Sequence, residues 1–241
     1  MKTLKLWLIP AAFYAVTCIL NLYGCLIEGP LERYVKPALL PLLCVTTLAY
    51  LLSVHKSGIT SDRNTAKMAA LLMTGQLFGY GGDTMLMGPG FIWFAGGIVL
   101  FLIGHICYFS LFGGISWKGL RPIHWVIAVV CMLAATAGLI LGIGVNGAML
   151  PPMGIYGFVL TVLIFSGLAG VLRPDAVSRG GRLTWWIILC GALMFTFSDS
   201  LIAIRNFHGL SPFLGGFVVM LTSLIAQTML AIGGIRLILK K

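Results

Sequence analysis

The sequence predicts an all-helical, polytopic membrane protein with about eight transmembrane helices. Three observations carry that class. Hydrophobic residues make up 59 % of the 241 residues and charged residues only 9 %. A soluble domain carries about a quarter charged residues, so a water-exposed surface is excluded. A disordered chain, poor in apolar residues, is excluded with it. The mean hydropathy is +1.04, and the apolar residues fall in successive runs of about 20, the length that crosses a bilayer as a helix.

The first run opens like a signal peptide, MKTLKLWLIPAAFYAVTCIL, but continues to Ile27, and Thr17 before Cys18 is a poor cleavage signature. It is read as span one, roughly residues 4–27. Span two covers roughly Pro37 to Val54, and the polar loop HKSGITSDRN follows. Span three covers roughly Thr65 to Met87. A Gly-Pro-Gly turn, Gly88 to Gly90, leads to span four, roughly Phe91 to Phe112. Span five is roughly Ile123 to Val145, after which Pro151 and Pro152 are expected to break the chain. Span six is roughly Met153 to Leu172, span seven Leu183 to Ile204 and span eight Pro212 to Leu239. All belong to one integral membrane domain.

The net charge is +10, with 16 Lys and Arg against 6 Asp and Glu. No basic run or aromatic-interleaved basic patch exists, so nucleic acid is not an expected partner. The charge reads as topology instead, because cytoplasmic loops collect Lys and Arg. Eight spans place Lys2, Lys5, Lys56, Arg63, Lys67, Lys118, Arg121, Arg173, Arg179, Arg182, Arg236, Lys240 and Lys241 on one side. The other side receives only Arg33, Lys36 and Arg205. Thirteen against three puts both termini in the cytoplasm, and a plasma (bacterial inner) membrane is expected. A weak internal similarity links GGDTMLM with FSDSLIA and FAGGIV with FLGGFV. It suggests two parallel four-helix units, about 4–115 and 123–239. The 6 cysteines show no CxxC spacing, so neither a zinc site nor a disulfide framework is expected.

Of the six acidic residues, Glu28, Glu32, Asp62 and Asp175 fall in predicted loops. Asp83 and Asp199 lie inside spans three and seven, where an ionisable residue costs about 2.5–3.5 kcal/mol on insertion scales. Both sit near the outer ends of their spans. If those spans are neighbours, the two carboxyls form a pair in low dielectric that cannot both ionise readily, as a general acid beside a general base requires. The competing account is two Asp residues that hydrogen-bond helices together. Gln76 shares a face with Asp83, seven residues on, and Tyr14, Asn21 and Glu28 share a stripe of span one. His105 and Tyr108 lie on span four, Tyr156 on span six and Gln227 on span eight. Such residues are more often helix contacts than catalysts. Lys36 and Arg205 either snorkel to the interface or hold a lipid phosphate. No P-loop, GxSxG elbow or HExxH motif is present.

Several blocks occur in order: Lys36-Pro37, GGDTML around Asp83, FLIGHICYFSLF around His105, Tyr156 after a proline turn, GALMFTFSDSLIAIRNF around Asp199, and Ala226-Gln227. From about residue 36 to about 230 the chain resembles the YhhN family of eight-span, lysoplasmalogenase-like membrane proteins. One departure is Ser223, where an aromatic residue is usual. The resemblance implies hydrolysis of the vinyl ether bond of lysoplasmalogens to a fatty aldehyde and a glycerophospho-headgroup. The substrate would be a lysophospholipid from the bilayer, with no metal and no organic cofactor. Asp83 and Asp199 would be the acid/base pair, and His105, Gln227 and Tyr156 would orient groups or water. Tyr108, Asn21 and Gln76 are further candidates, and Lys36 and Arg205 would hold the phosphate. Two other readings stay open: a transporter using the paired Asp residues, and a scaffold whose polar residues only join helices.

Overall fold

The computed structural model describes residues 5–54 and 63–239. Lys2, His55, Lys56, Asp62, Lys240 and Lys241 lie outside the described residues, as does most of the polar loop between spans two and three. Among the described residues every regular element is helical. The order is α1 (Leu8–Leu26), α2 (Leu31–Val54), α3 (Arg63–Met85), α4 (Phe91–Ser116), α5 (Pro122–Ile143), α6 (Leu150–Leu172), α7 (Pro174–Gly180), α8 (Arg182–His208) and α9 (Val219–Ile238). A π-helical stretch, Phe213–Val218, leads into α9. Seven helices are long and apolar enough to cross a membrane, counting that stretch with α9. α3 has the length without the apolarity, because Lys67, Gln76, Asp83 and several glycines dilute it. It packs against α2, α4 and α9, and Gln76 is fully buried. The polytopic all-helical class is borne out.

Some boundaries differ from expectation, each for a local reason. α2 begins at Leu31 and carries Pro37 and Pro41 inside it. A proline removes one helical N–H and frees a carbonyl one turn back, a defect that neighbouring helices in a membrane bundle can absorb. Pro151 and Pro152 do not break the chain; they occupy the first turn of α6, where the N–H groups have no helical partner anyway. Asp175 is not in a loop but in the first turn of the short α7, and Glu32 is in the first turn of α2. Glu28 falls beyond the end of α1 in a left-handed turn, φ 51°, so the stripe of Tyr14 and Asn21 stops before it. Gly144 closes α5 at φ 73°, its N–H reaching the carbonyls of Ile140 and Leu141, the usual left-handed helix end.

The helices pack serially: α1 on α2, α2 on α3 and α3 on α4, then α5 on α6, α6 on α8 and α8 on α9. α4 against α6 joins the two series, and α9 closes against α3. Lipid supplies no hydrophobic force between helices, so close packing has to. Glycine provides it where aromatic rings meet backbone. A Cβ at Gly75 would stand 2.9 Å from the Tyr108 ring, and one at Gly82 2.9 Å from Phe101. Phe112, Leu163, Trp185, Ile188 and Phe195 fill the centre. α1 and α5 are peripheral: 22 % and 17 % of their apolar windows are buried, against 56 % for α6, α8 and α9.

Candidate functional site

Each of the two buried acids has its own partner. Asp83, two residues before the end of α3, pairs with Lys36: Nζ to Oδ1 is 3.7 Å, and both side chains are about 85 % buried, being 14 % and 15 % exposed. Lys36 was expected just outside a span. It lies one turn inside the longer α2, next to Pro37, and its ammonium is directed to Asp83. Asp199, nine residues before the end of α8, is buried and accepts a hydrogen bond at Oδ2 from the Tyr156 hydroxyl on α6. The described residues place no Lys, Arg or His nitrogen within 4 Å of it.

α3 and α8 are not close-packed neighbours; α4 and α9 stand between them. The two carboxyls do not share a hydrogen bond: each has its own partner. Phe101 touches both sides, packing on Gly82 and lining the cavity beside Asp199.

Two small cavities flank the Asp199–Tyr156 contact. One, about 20 Å³, is lined by Leu86, Phe94, Ile98, Phe101 and Ala203 with the two polar groups. The other, also about 20 Å³, lies toward Ile140, Leu160 and Ser200. Each is about the room that one water molecule needs. The first shares Leu86 and Phe94 with an outer cavity of about 270 Å³ whose polar wall is Arg205 and Asn206. Arg205 also donates from Nη1 to the Gly215 carbonyl at 2.7 Å, which ties the end of α8 to the π-helical stretch.

His105 lies beside this group. Its Nδ1 is 2.6 Å from the Phe101 carbonyl, so Nδ1 carries the proton. Nε2 is then a buried acceptor, and it has no partner among the described residues. The imidazole meets Tyr156 edge-on at 5.8 Å and Phe195 at 4.5 Å.

The remaining candidates sit elsewhere. Tyr108 donates to Gln227 Oε1 at 3.0 Å, joining α4 to α9. Gln76 donates to Thr47 at 3.1 Å, joining α3 to α2. Asn21 donates to the Glu32 carbonyl at 3.4 Å, within the α1–α2 hairpin. None of these four lines the cavities at Asp199. Sequence reading missed the apolar walls Phe94, Ile98, Phe101 and Met153, and nothing distinguishes them from other membrane-span residues. It also missed that Ser198 Oγ donates to the Val219 carbonyl at 3.0 Å, holding α8 beside the start of α9 next to Asp199. Among the described residues no group of three His, Cys, Asp or Glu side chains could hold a metal ion.

No solved structure matches the chain. The model of the YhhN family matches residues 31–234, most of the sequence and all of the elements that carry the two acids, so this protein belongs to the YhhN family.

Proposed function

We propose that the protein hydrolyses the vinyl ether bond of lysoplasmalogens. The observation that carries this reading is the unequal company of two membrane-buried carboxyls: Asp83 has a cation beside it, and Asp199 has a phenol and two water-sized cavities. Family membership supports hydrolysis as the reaction class.

A buried ion is tolerated when paired, whereas a neutral carboxylic acid needs only hydrogen-bond partners. Lys36 keeps Asp83 as the anion, and Asp199 is the acid. Asp199 gives its proton to the enol-ether carbon, and an oxocarbenium ion forms. The Asp83 charge stabilises that cation across a low-dielectric gap, where electrostatic terms are strong. Water from the adjoining cavity adds to the carbon bearing oxygen. The proton it releases returns to the carboxyl pair, and the hemiacetal collapses to aldehyde and alcohol. Two carboxyls divide the same duties in glycosidases. Tyr156 holds the Asp199 carboxyl in place, and the His105 ring, edge-on to Tyr156, helps to position that phenol. With Lys36 committed to Asp83, Arg205, on the wall of the outer cavity, is the cation placed to hold the lipid phosphate.

The test is mass spectrometry of purified protein incubated with 1-alkenyl lysophosphatidylethanolamine and its 1-acyl and 1-alkyl analogues. Aldehyde released from the alkenyl lipid alone is the expected result. Fatty acid from the acyl lipid would replace the reading with a lysophospholipase. No product from any of the three would leave transport as the function to pursue.

A further inference from the structure

About 35 Å along α4 from Phe94, taking 1.5 Å per residue, a further cavity opens at the opposite end of the bundle. It has a volume of about 320 Å³ and lies between the end of α4, the start of α5 and the end of α6. Its walls are apolar, among them Ile127, Ala128, Phe165, Leu168 and Leu172. Its mouth is basic. His124 and Arg173 line it, and Lys118 and Arg121 are exposed on the α4–α5 turn beside the lining residues Trp117 and Leu120. The acid beside them is Asp175, already 3.3 Å from Arg173. Among the described residues no carboxylate lies within 4 Å of Lys118 or Arg121.

The wall also holds a donor without an acceptor. Trp117 is 8 % exposed, and its Nε1–H has no partner among the described residues. An indole N–H can only donate, and leaving a buried donor without an acceptor is unfavourable. Apolar walls, a cationic mouth and a spare donor together call for a ligand with a hydrocarbon chain and an acceptor-rich anionic head. The wall helix α5 is also the least buried of the membrane helices, with 17 % of its apolar window inside the bundle. A ligand seated between α4, α5 and α6 would bind it to its neighbours.

We infer that this cleft is a binding site for an anionic phospholipid, with its chain between α5 and α6 and its phosphate among Lys118, Arg121 and Trp117. The basic mouth selects the phospholipid's charge, because Lys and Arg at the membrane surface attract anionic lipid headgroups.

Native mass spectrometry of the full chain in detergent, with phosphatidylglycerol or phosphatidylcholine added at equal excess, tests the site. One phosphatidylglycerol should stay bound per chain, with at least tenfold less phosphatidylcholine. Lys118→Gln with Arg121→Gln should cut phosphatidylglycerol retention at least fivefold. Ala128→Phe, which fills the cleft, should abolish it; if that variant does not fold, the exposed double substitution carries the test alone. Equal retention of the two lipids, or retention unchanged in the Lys118/Arg121 variant, would overturn the inference. So would displacement of phosphatidylglycerol by an equimolar lysolipid.

Discussion

Asp83 on α3 and Asp199 on α8 are the same residue type at the same end of one bundle, yet different chemistry holds each in place. Asp83 has an ammonium 3.7 Å away, brought by the first turns of a helix that runs through two prolines. Asp199 has a phenol hydroxyl from α6 and a cavity on either side. A hydrocarbon interior tolerates an anion that has its countercharge and a neutral acid that has its hydrogen bond. The contrast teaches that a second residue, rather than the carboxyl itself, sets the part each acid can play. The proposed division of labour, anion at Asp83 and acid at Asp199, rests on that contrast.

The largest effects are expected at the two acids themselves. Asp199→Asn keeps an acceptor for Tyr156 and removes the transferable proton. Aldehyde release should fall by about 10²–10⁴-fold, the usual share of general acid catalysis, with the melting temperature held. Asp83→Asn should fall in the same range, and near-normal turnover in either variant would remove that acid from the chemistry.

Next in size is the countercharge. Lys36→Met strands the Asp83 carboxylate, and breaking a buried pair costs about 3–5 kcal/mol. Thermal unfolding in detergent should show a large drop in stability, and adding Asp83→Asn should restore most of it. If Lys36→Met alone unfolds like the parent, the ion pair is not what keeps Asp83 in the membrane.

Tyr156→Phe sharpens the other half. It removes a hydrogen bond that is worth about 1.5–3 kcal/mol once Asp199 has given up its proton and is charged, so turnover should drop roughly 10–100-fold with KM little changed. An effect confined to KM would move Tyr156 from the reacting group to substrate binding. The smallest effect is expected at Tyr108→Phe, which removes the bond to Gln227 away from the Asp199 cavities. Stability should fall by about 1 kcal/mol, and aldehyde release should not change.

Much of the fold was legible in the sequence because hydrocarbon is a strict solvent. It requires long apolar helices and penalises charge, so the spans and the two exceptional acids stand out against their background. Helix ends were less legible where proline was read as a breaker. Pro37 lies within α2 and Pro151 opens α6, since a missing N–H is tolerable inside a bundle and costless in a first turn. Among the polar candidates the sequence could not sort Tyr156 from Tyr108 or Lys36 from Arg205. Each is one polar residue on an apolar helix, and only its neighbour on another helix separates them.

Composition and run length by themselves determined an all-helical membrane protein, its order of spans and the placing of Asp83 and Asp199 within them. These are properties of each segment against its solvent. Tertiary structure decided which helices interleave α3 and α8, that Lys36 meets Asp83 and Tyr156 meets Asp199, and where the cavities lie. Those depend on how closely glycine lets the helices approach and how each is rotated, and residues far apart in the chain settle both together.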